Sequence, residues 1–128
     1  MLTVDTTVVV RLITNDSPRD TKRAAALFSS NKIYVSSTVL LETEWVLRYA
    51  YRLKPDAISK SFRGLLGLAS VSVADPPHIN RALLLYERGL DFADALHLAG
   101  ANGSGLKTLD RELVEKARTA GVRGVTLL

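Results

Sequence analysis

Short apolar runs separated by longer amphipathic stretches constrain the fold of this chain more than any other feature. Residues 2–4, 32–35, 71–73, 106–108 and 125–127 have the length and side chains of short strands. Helical stretches lie between them. Pro18 precedes a helix over about 19–29, with Ala24, Ala25, Leu27 and Phe28 on its apolar side. Ser36, Ser37 and Thr38 offer N-caps for a helix reaching about residue 52, and Pro55 opens another to about 68. After a break at Pro76-Pro77, a helix runs to Arg88 and Gly89 ends it. Further helices are expected over about 92–102 and 111–120. Segment 7–13 stays open between strand, favoured by Val8, Val9 and Val10, and helix. Strands alternating with helices specify an α/β fold, a three-layer α/β/α arrangement with a central parallel sheet. Right-handed crossovers then bring the C-terminal strand ends to one edge, where such folds bind ligands.

A chain of 128 residues, 47% hydrophobic, supports one domain over 1–128 with a proper core and excludes overall disorder. No cysteine is present, which removes disulfides, thiolate chemistry and Cys-based zinc. The start MLTVDTT lacks a signal-peptide pattern, and no apolar run approaches the roughly 20 residues that span a bilayer. The expectation is a soluble, cytoplasmic domain without a membrane partner. A net charge of +4 suits a polyanionic partner but does not by itself specify one.

Four acids stand out by position. Asp5 follows the first strand and Asp110 follows the fourth, so both are expected at the ligand-binding edge. Glu42, in Val39-Leu40-Leu41-Glu42, and Asp94, between Ala93 and Ala95-Leu96, sit in apolar helical settings near that edge. A carboxylate there must be desolvated unless it is paired or holds a metal. Each acid has a plainer reading. Asp5 and Asp110 could cap the helices that follow them, and the helix dipole alone favours Asp94. Together, converging carboxylates repel one another unless a hard cation such as Mg2+ or Mn2+ joins them. That chemistry suits hydrolysis of a phosphodiester.

Thr6, Thr7 and Thr108 flank the strand-end acids and are candidates to hold a carboxylate or a water, Thr108 ahead of Thr7. Asp91 is an N-cap candidate with a possible supporting role, and His97 stands one helical turn beyond Asp94. Glu44 and Arg48 have the spacing of an exposed ion pair. Trp45 shares helical register with Leu41 and is expected in the core, and His78 reads as loop punctuation. Arg48, Arg52, Lys54, Lys60 and Arg63 form either a phosphate-tracking surface or an ordinary solvated face.

The stretches VDTTVVVRLITND, STVLLETEWVLR, LDFADALHLA and KTLDREL together resemble the PIN-domain ribonucleases. The likeness is greatest to the VapC-type toxins of bacterial toxin–antitoxin pairs, including their FitB-like branch. The resemblance implies Mg2+- or Mn2+-dependent RNA cleavage, with Asp5, Glu42, Asp94 and Asp110 as acidic ligands. It also implies a homodimer and inhibition by a cognate antitoxin. Thr7 departs from the Asn common at that place in the family. Two other classes compete. A phosphatase or receiver-like phospho-acceptor would use an Asp after a strand, Asp75 in the receiver case, but Asp5 lacks the acidic neighbours both need. A catalytically inactive RNA-binding module would keep the fold without the chemistry.

Overall fold

Asp5 decides how the chain leaves its first strand, β1 (Leu2–Thr3). Its carboxylate accepts the backbone N–H groups of Thr7 and Val8 and caps α1 (Thr6–Thr14). Segment 7–13 is therefore helical. Its valines are mediocre helix formers, but Val9 and Val10 are buried, and packing outweighs propensity. The computed structural model describes residues 1–101 and 103–128, which form two compact units, Met1–Ala74 and Asp75–Leu128.

In the first unit, α1 packs against α2 (Pro18–Ser30) and α3 (Ser37–Tyr49). Strands β2 (Ile33–Tyr34) and β3 (Val71–Ser72) complete a parallel sheet ordered β1-β2-β3, and α4 (Pro55–Leu66) lies between β2 and β3 in sequence. Phe28, Ile33, Leu40, Leu47, Ile58 and Phe62 are among its buried side chains. Ser36 caps α3 by accepting the Val39 N–H at 3.2 Å. The helix stops short of Arg52, which takes a left-handed φ of 56° that no helix can continue through.

The inward stripe of α3 differs from expectation. Leu40, Thr43, Glu44 and Leu47 are its buried residues. Glu44 is 1% exposed, so its bond to Arg48 at 2.8 Å closes a buried carboxylate rather than decorating a surface. Trp45 is 57% exposed and leans on Tyr49, itself 56% exposed, instead of entering the core.

Asp16 ties the end of α1 to the chain after α3. It accepts Arg11 Nη1 at 2.7 Å, Tyr51 Oη at 2.5 Å and Thr14 Oγ1 at 3.1 Å. The Tyr51 hydroxyl first, and Arg11 next, hold its pKa down at about 2. Because the folded value lies below the unfolded one, this stabilisation is present above the ordinary aspartate value of 3.8 and is lost as pH falls toward about 2. Thermal midpoints measured across that interval should fall less steeply for Asp16→Asn than for the parent.

The second unit opens with α5 (Pro76–Glu87). Pro76 and Pro77 lie inside its first turn rather than in a break before it, and Asp75 is its N-cap, accepting the His78 N–H at 3.2 Å. His78 is thus helical, not loop punctuation, and its Nε2 meets the Leu96 carbonyl at 2.9 Å. That carbonyl belongs to α6 (Phe92–Ala101), which packs on α5. A Cβ at position 100 would stand 3.3 Å from His78 Nε2, so Gly100 permits the close approach. The end of this helix expected at Asn102 lies outside the described residues. Strand β4 (Leu106–Thr108) pairs in parallel with β5 (Val125–Leu127) around α7 (Arg111–Thr119). Every strand pairing among the described residues is parallel, and seven helices separate and flank the strands. The fold is α/β, as the alternation of apolar runs requires.

Candidate functional site

The first unit gathers Asp5, Glu42 and two threonines. Thr7 Oγ1 donates to Asp5 Oδ1 at 2.6 Å, and this bond is the main reason the Asp5 pKa lies below its ordinary value. Slight burial opposes the shift, and the N–H groups of Val8 and Thr7 reinforce it. Thr6, 7% exposed, donates its hydroxyl to Glu42 Oε1. Two consecutive residues at the start of α1 thus hold one candidate acid each. Glu42 is exposed, not desolvated by its apolar neighbours in sequence, because the inward positions of α3 fall on residues 40, 43, 44 and 47.

In the second unit Asp94 feels the charges of Asp91 and Asp110. Asp110 caps α7, accepting the N–H groups of Glu112 and Leu113 at 2.9 and 3.2 Å, while its own N–H donates to Thr108 Oγ1 at 3.0 Å. Asp91 directly precedes α6, and its carbonyl accepts the Ala95 N–H at 2.8 Å. Asp94, half-buried in the first turn of α6, has its pKa raised. Burial is the largest cause, the negative charges of Asp91 and Asp110 add to it, and His97 and Lys116 act the other way. Asp94 and His97 also line one cavity of ≈ 560 Å³ with Ser104, Lys107 and Thr108.

The plainer readings of Asp5 and Asp110 are both true in part, since each caps a helix. In each, every hydrogen bond to the carboxylate among the described residues falls on Oδ1, which leaves Oδ2 for a ligand. Among the described residues, no three His, Asp or Glu side chains are gathered into a ready-made cation site. Within each unit the donors still fit Mg2+ or Mn2+ in kind, since the acids offer oxygen ligands: Asp5 and Glu42 in the first, and Asp110 with Asp94, destabilised by its anionic neighbours, in the second.

Thr6 was legible only as one of three flanking hydroxyls, and its contact with Glu42 depends on how α3 is placed. Lys116, one of the two groups offsetting the charge around Asp94, gave no signal in the sequence beyond its spacing from Glu112.

These features define a class: an α/β protein with acids at strand ends and helix starts, suited to a hard divalent cation. Residues 2–119 match the PIN domain, and the chain belongs to that family. PIN domains are generally nucleases, and the family implies binding of nucleic acid. No curated protein matches the chain. No helix among the described residues is long and apolar enough to cross a membrane.

Proposed function

We propose that this PIN domain is a Mg2+- or Mn2+-dependent endoribonuclease whose ligands are Asp5, Glu42, Asp94 and Asp110. The observations that carry this reading are the PIN-domain match over residues 2–119 and the half-buried Asp94 carboxyl, whose ionised form is opposed by burial and by two neighbouring carboxylates. A divalent cation relieves that repulsion. The chemistry supplied by such an ion, when bound, is Lewis-acid stabilisation of phosphoryl oxygens and activation of water for in-line attack. The chain's own residues orient its ligands. Thr7 and the cap of α1 orient Asp5, Thr6 fixes Glu42, and the cap of α7 holds Asp110 with Oδ2 open.

Within this reading the four motifs favour a VapC-type toxin of the FitB-like branch, acting on RNA in the cytoplasm and neutralised by a cognate antitoxin. The family match spans both compact units, which supports treating residues 1–128 as one functional domain. The exposed Trp45 and Tyr49 offer apolar area for a homodimer. Asp5 lacks the acidic neighbours that a receiver-like phospho-acceptor site needs, so that reading is not favoured.

Mutants test the ligand assignment. Asp5→Ala and Asp94→Ala should each lower RNA cleavage by ~10²-fold or more, as expected for losing a group that organises transition-state charge. Thr6→Val should give a smaller loss, and Thr6→Ser should recover it. Cleavage by Asp5→Ala and Asp94→Ala at the parent's rate would remove these acids from the site, and an inactive RNA-binding module would show binding without cleavage in every variant.

A further inference from the structure

A different cavity of the Asp75–Leu128 unit shares no lining residue with the one beside Asp94. Its ≈ 310 Å³ falls at the lower end of the range for small-molecule sites, roughly 300–1,000 Å³. Leu84 and Leu85 of α5, Leu98 of α6 and Val122 beyond α7 make its lining apolar, and Arg81 and Arg88 add two cations. No Asp or Glu is among its lining residues. Both arginines are tethered: Arg81 Nη2 donates to the Ala99 carbonyl at 3.3 Å, and Arg88 Nη1 donates to the Ala120 carbonyl at 3.0 Å. Each tether uses one of a guanidinium's five N–H donors, and neither arginine enters an ion pair among the described residues. Donors and charge therefore remain for a ligand. Residues 81, 84, 85 and 88 follow the i, i+3, i+4, i+7 spacing of one helix face, so the leucines stand between the arginines along α5 and its C-cap. An exposed leucine alone is ordinary. Leu84, 49% exposed, instead stands between two guanidinia without counter-charge and over a cavity.

We propose that this cavity binds an aliphatic dicarboxylate, its chain laid on Leu84, Leu85, Leu98 and Val122 and one carboxylate on each arginine. Seven residues of helix rise about 10 Å, so an acid at each end of an apolar chain matches the two cations and the leucines between them. The chain removes apolar surface from water, and the carboxylates supply the missing counter-charge. The occupant touches α5, α6 and the segment after α7 together, so binding stabilises the folded chain. It requires neither metal nor cleavage, and the proposal therefore goes beyond the nuclease reading and stands apart from it.

The test adds sebacate to the metal-free full chain, with octanoate, 1,8-octanediol and succinate as comparison probes, and follows amide NMR shifts and the thermal midpoint. Sebacate should move the signals of Leu84, Leu98 and Val122, raise the midpoint, and bind more tightly than any of the other probes. Arg81→Gln and Arg88→Gln should each weaken it about fivefold, the upper end for an exposed ion pair, and bring it close to octanoate. Arg81→Lys and Arg88→Lys keep the charge without the guanidinium fork and should recover part of that loss. Where a variant is unstable, the probe series on the parent chain still decides. Octanediol binding as tightly as sebacate would overturn the proposal by leaving the arginines idle, and succinate doing so would leave the leucines idle. Shifts confined to residues outside this cavity, or unchanged affinity in both Gln variants, would also overturn it. Displacement of sebacate by a short RNA or an acidic peptide below sebacate's own Kd would give the cavity to a macromolecule. Self-association of the parent that is lost in Leu84→Glu would give this face to a second copy of the chain, and either result would overturn the assignment.

Discussion

Asp94→Asn should make the metal-free protein more stable at neutral pH while nearly abolishing its activity. The folded protein holds the Asp94 pKa above its ordinary value through burial and through Asp91 and Asp110. For an acid raised in the folded state, ionisation costs stability. The penalty is absent below the ordinary aspartate range, grows as pH rises, and is complete above the raised folded value. An asparagine of nearly the same shape carries no such penalty. Its thermal midpoint should exceed the parent's at pH 7, and the two should converge at acid pH, where Asp94 is protonated in both states. Added Mn2+ should raise the parent's midpoint, since a ligand bound only by the folded state stabilises it, and should move the variant far less. A residue retained merely for packing or capping would not combine greater stability with lost catalysis.

Arg48→Met should destabilise the chain by about 3 kcal/mol, the largest loss expected from a residue outside the candidate site. Glu44 has only 2% of its side chain exposed and receives Arg48 through Nε at 2.8 Å and Nη2 at 3.2 Å. Removing the guanidinium takes two charge-assisted hydrogen bonds away from a desolvated carboxylate. The estimate is taken at the low end of the range for broken buried pairs, because the Arg48 side chain is itself 32% exposed and water can replace part of it. For a domain of this size the thermal midpoint should drop by roughly 10 °C. Glu44→Leu combined with Arg48→Met should recover part of that loss, since no desolvated carboxylate then remains at position 44. Urea unfolding of the parent, the single variant and the double variant measures this directly.

The same helix shows where the sequence was legible and where it was not. Strands at Ile33–Tyr34 and Leu106–Thr108 could be read because apolar residues bounded by turn and cap signals permit little else. Asp110 could be read as a cap because it stands between a strand and an amphipathic helix. Helix α3 has no such contrast. Its buried face carries Thr43 and Glu44 with Leu40 and Leu47, whereas Trp45 and Tyr49 face outward. Polarity therefore suggested the wrong phase, placing Trp45 inside, Glu44 outside and Glu42 in a desolvated setting. The spacing of Glu44 and Arg48 was the available clue, and it identified the pair without revealing its burial.

In the candidate site, the capping by Asp5 and Asp110 followed from their positions between a strand and a helix. The hydroxyl of Thr6 on Glu42 and the effect of Asp91 and Asp110 on Asp94 did not, because each joins elements apart in sequence. A cap explains Asp5 and Asp110 only through Oδ1, and the other oxygen is what separates a capping residue from a candidate ligand.

The central claim is metal-dependent cleavage of RNA, and the most direct test is a single titration. Purified protein free of any inhibitor is incubated with a mixed RNA substrate in EDTA, and Mn2+ or Mg2+ is then added in excess while fragments are counted over time. No cleavage in EDTA, and cleavage that rises with the free divalent ion, is the expected result. Cleavage of equal rate in EDTA, or intact RNA at every concentration of both ions, would contradict the account.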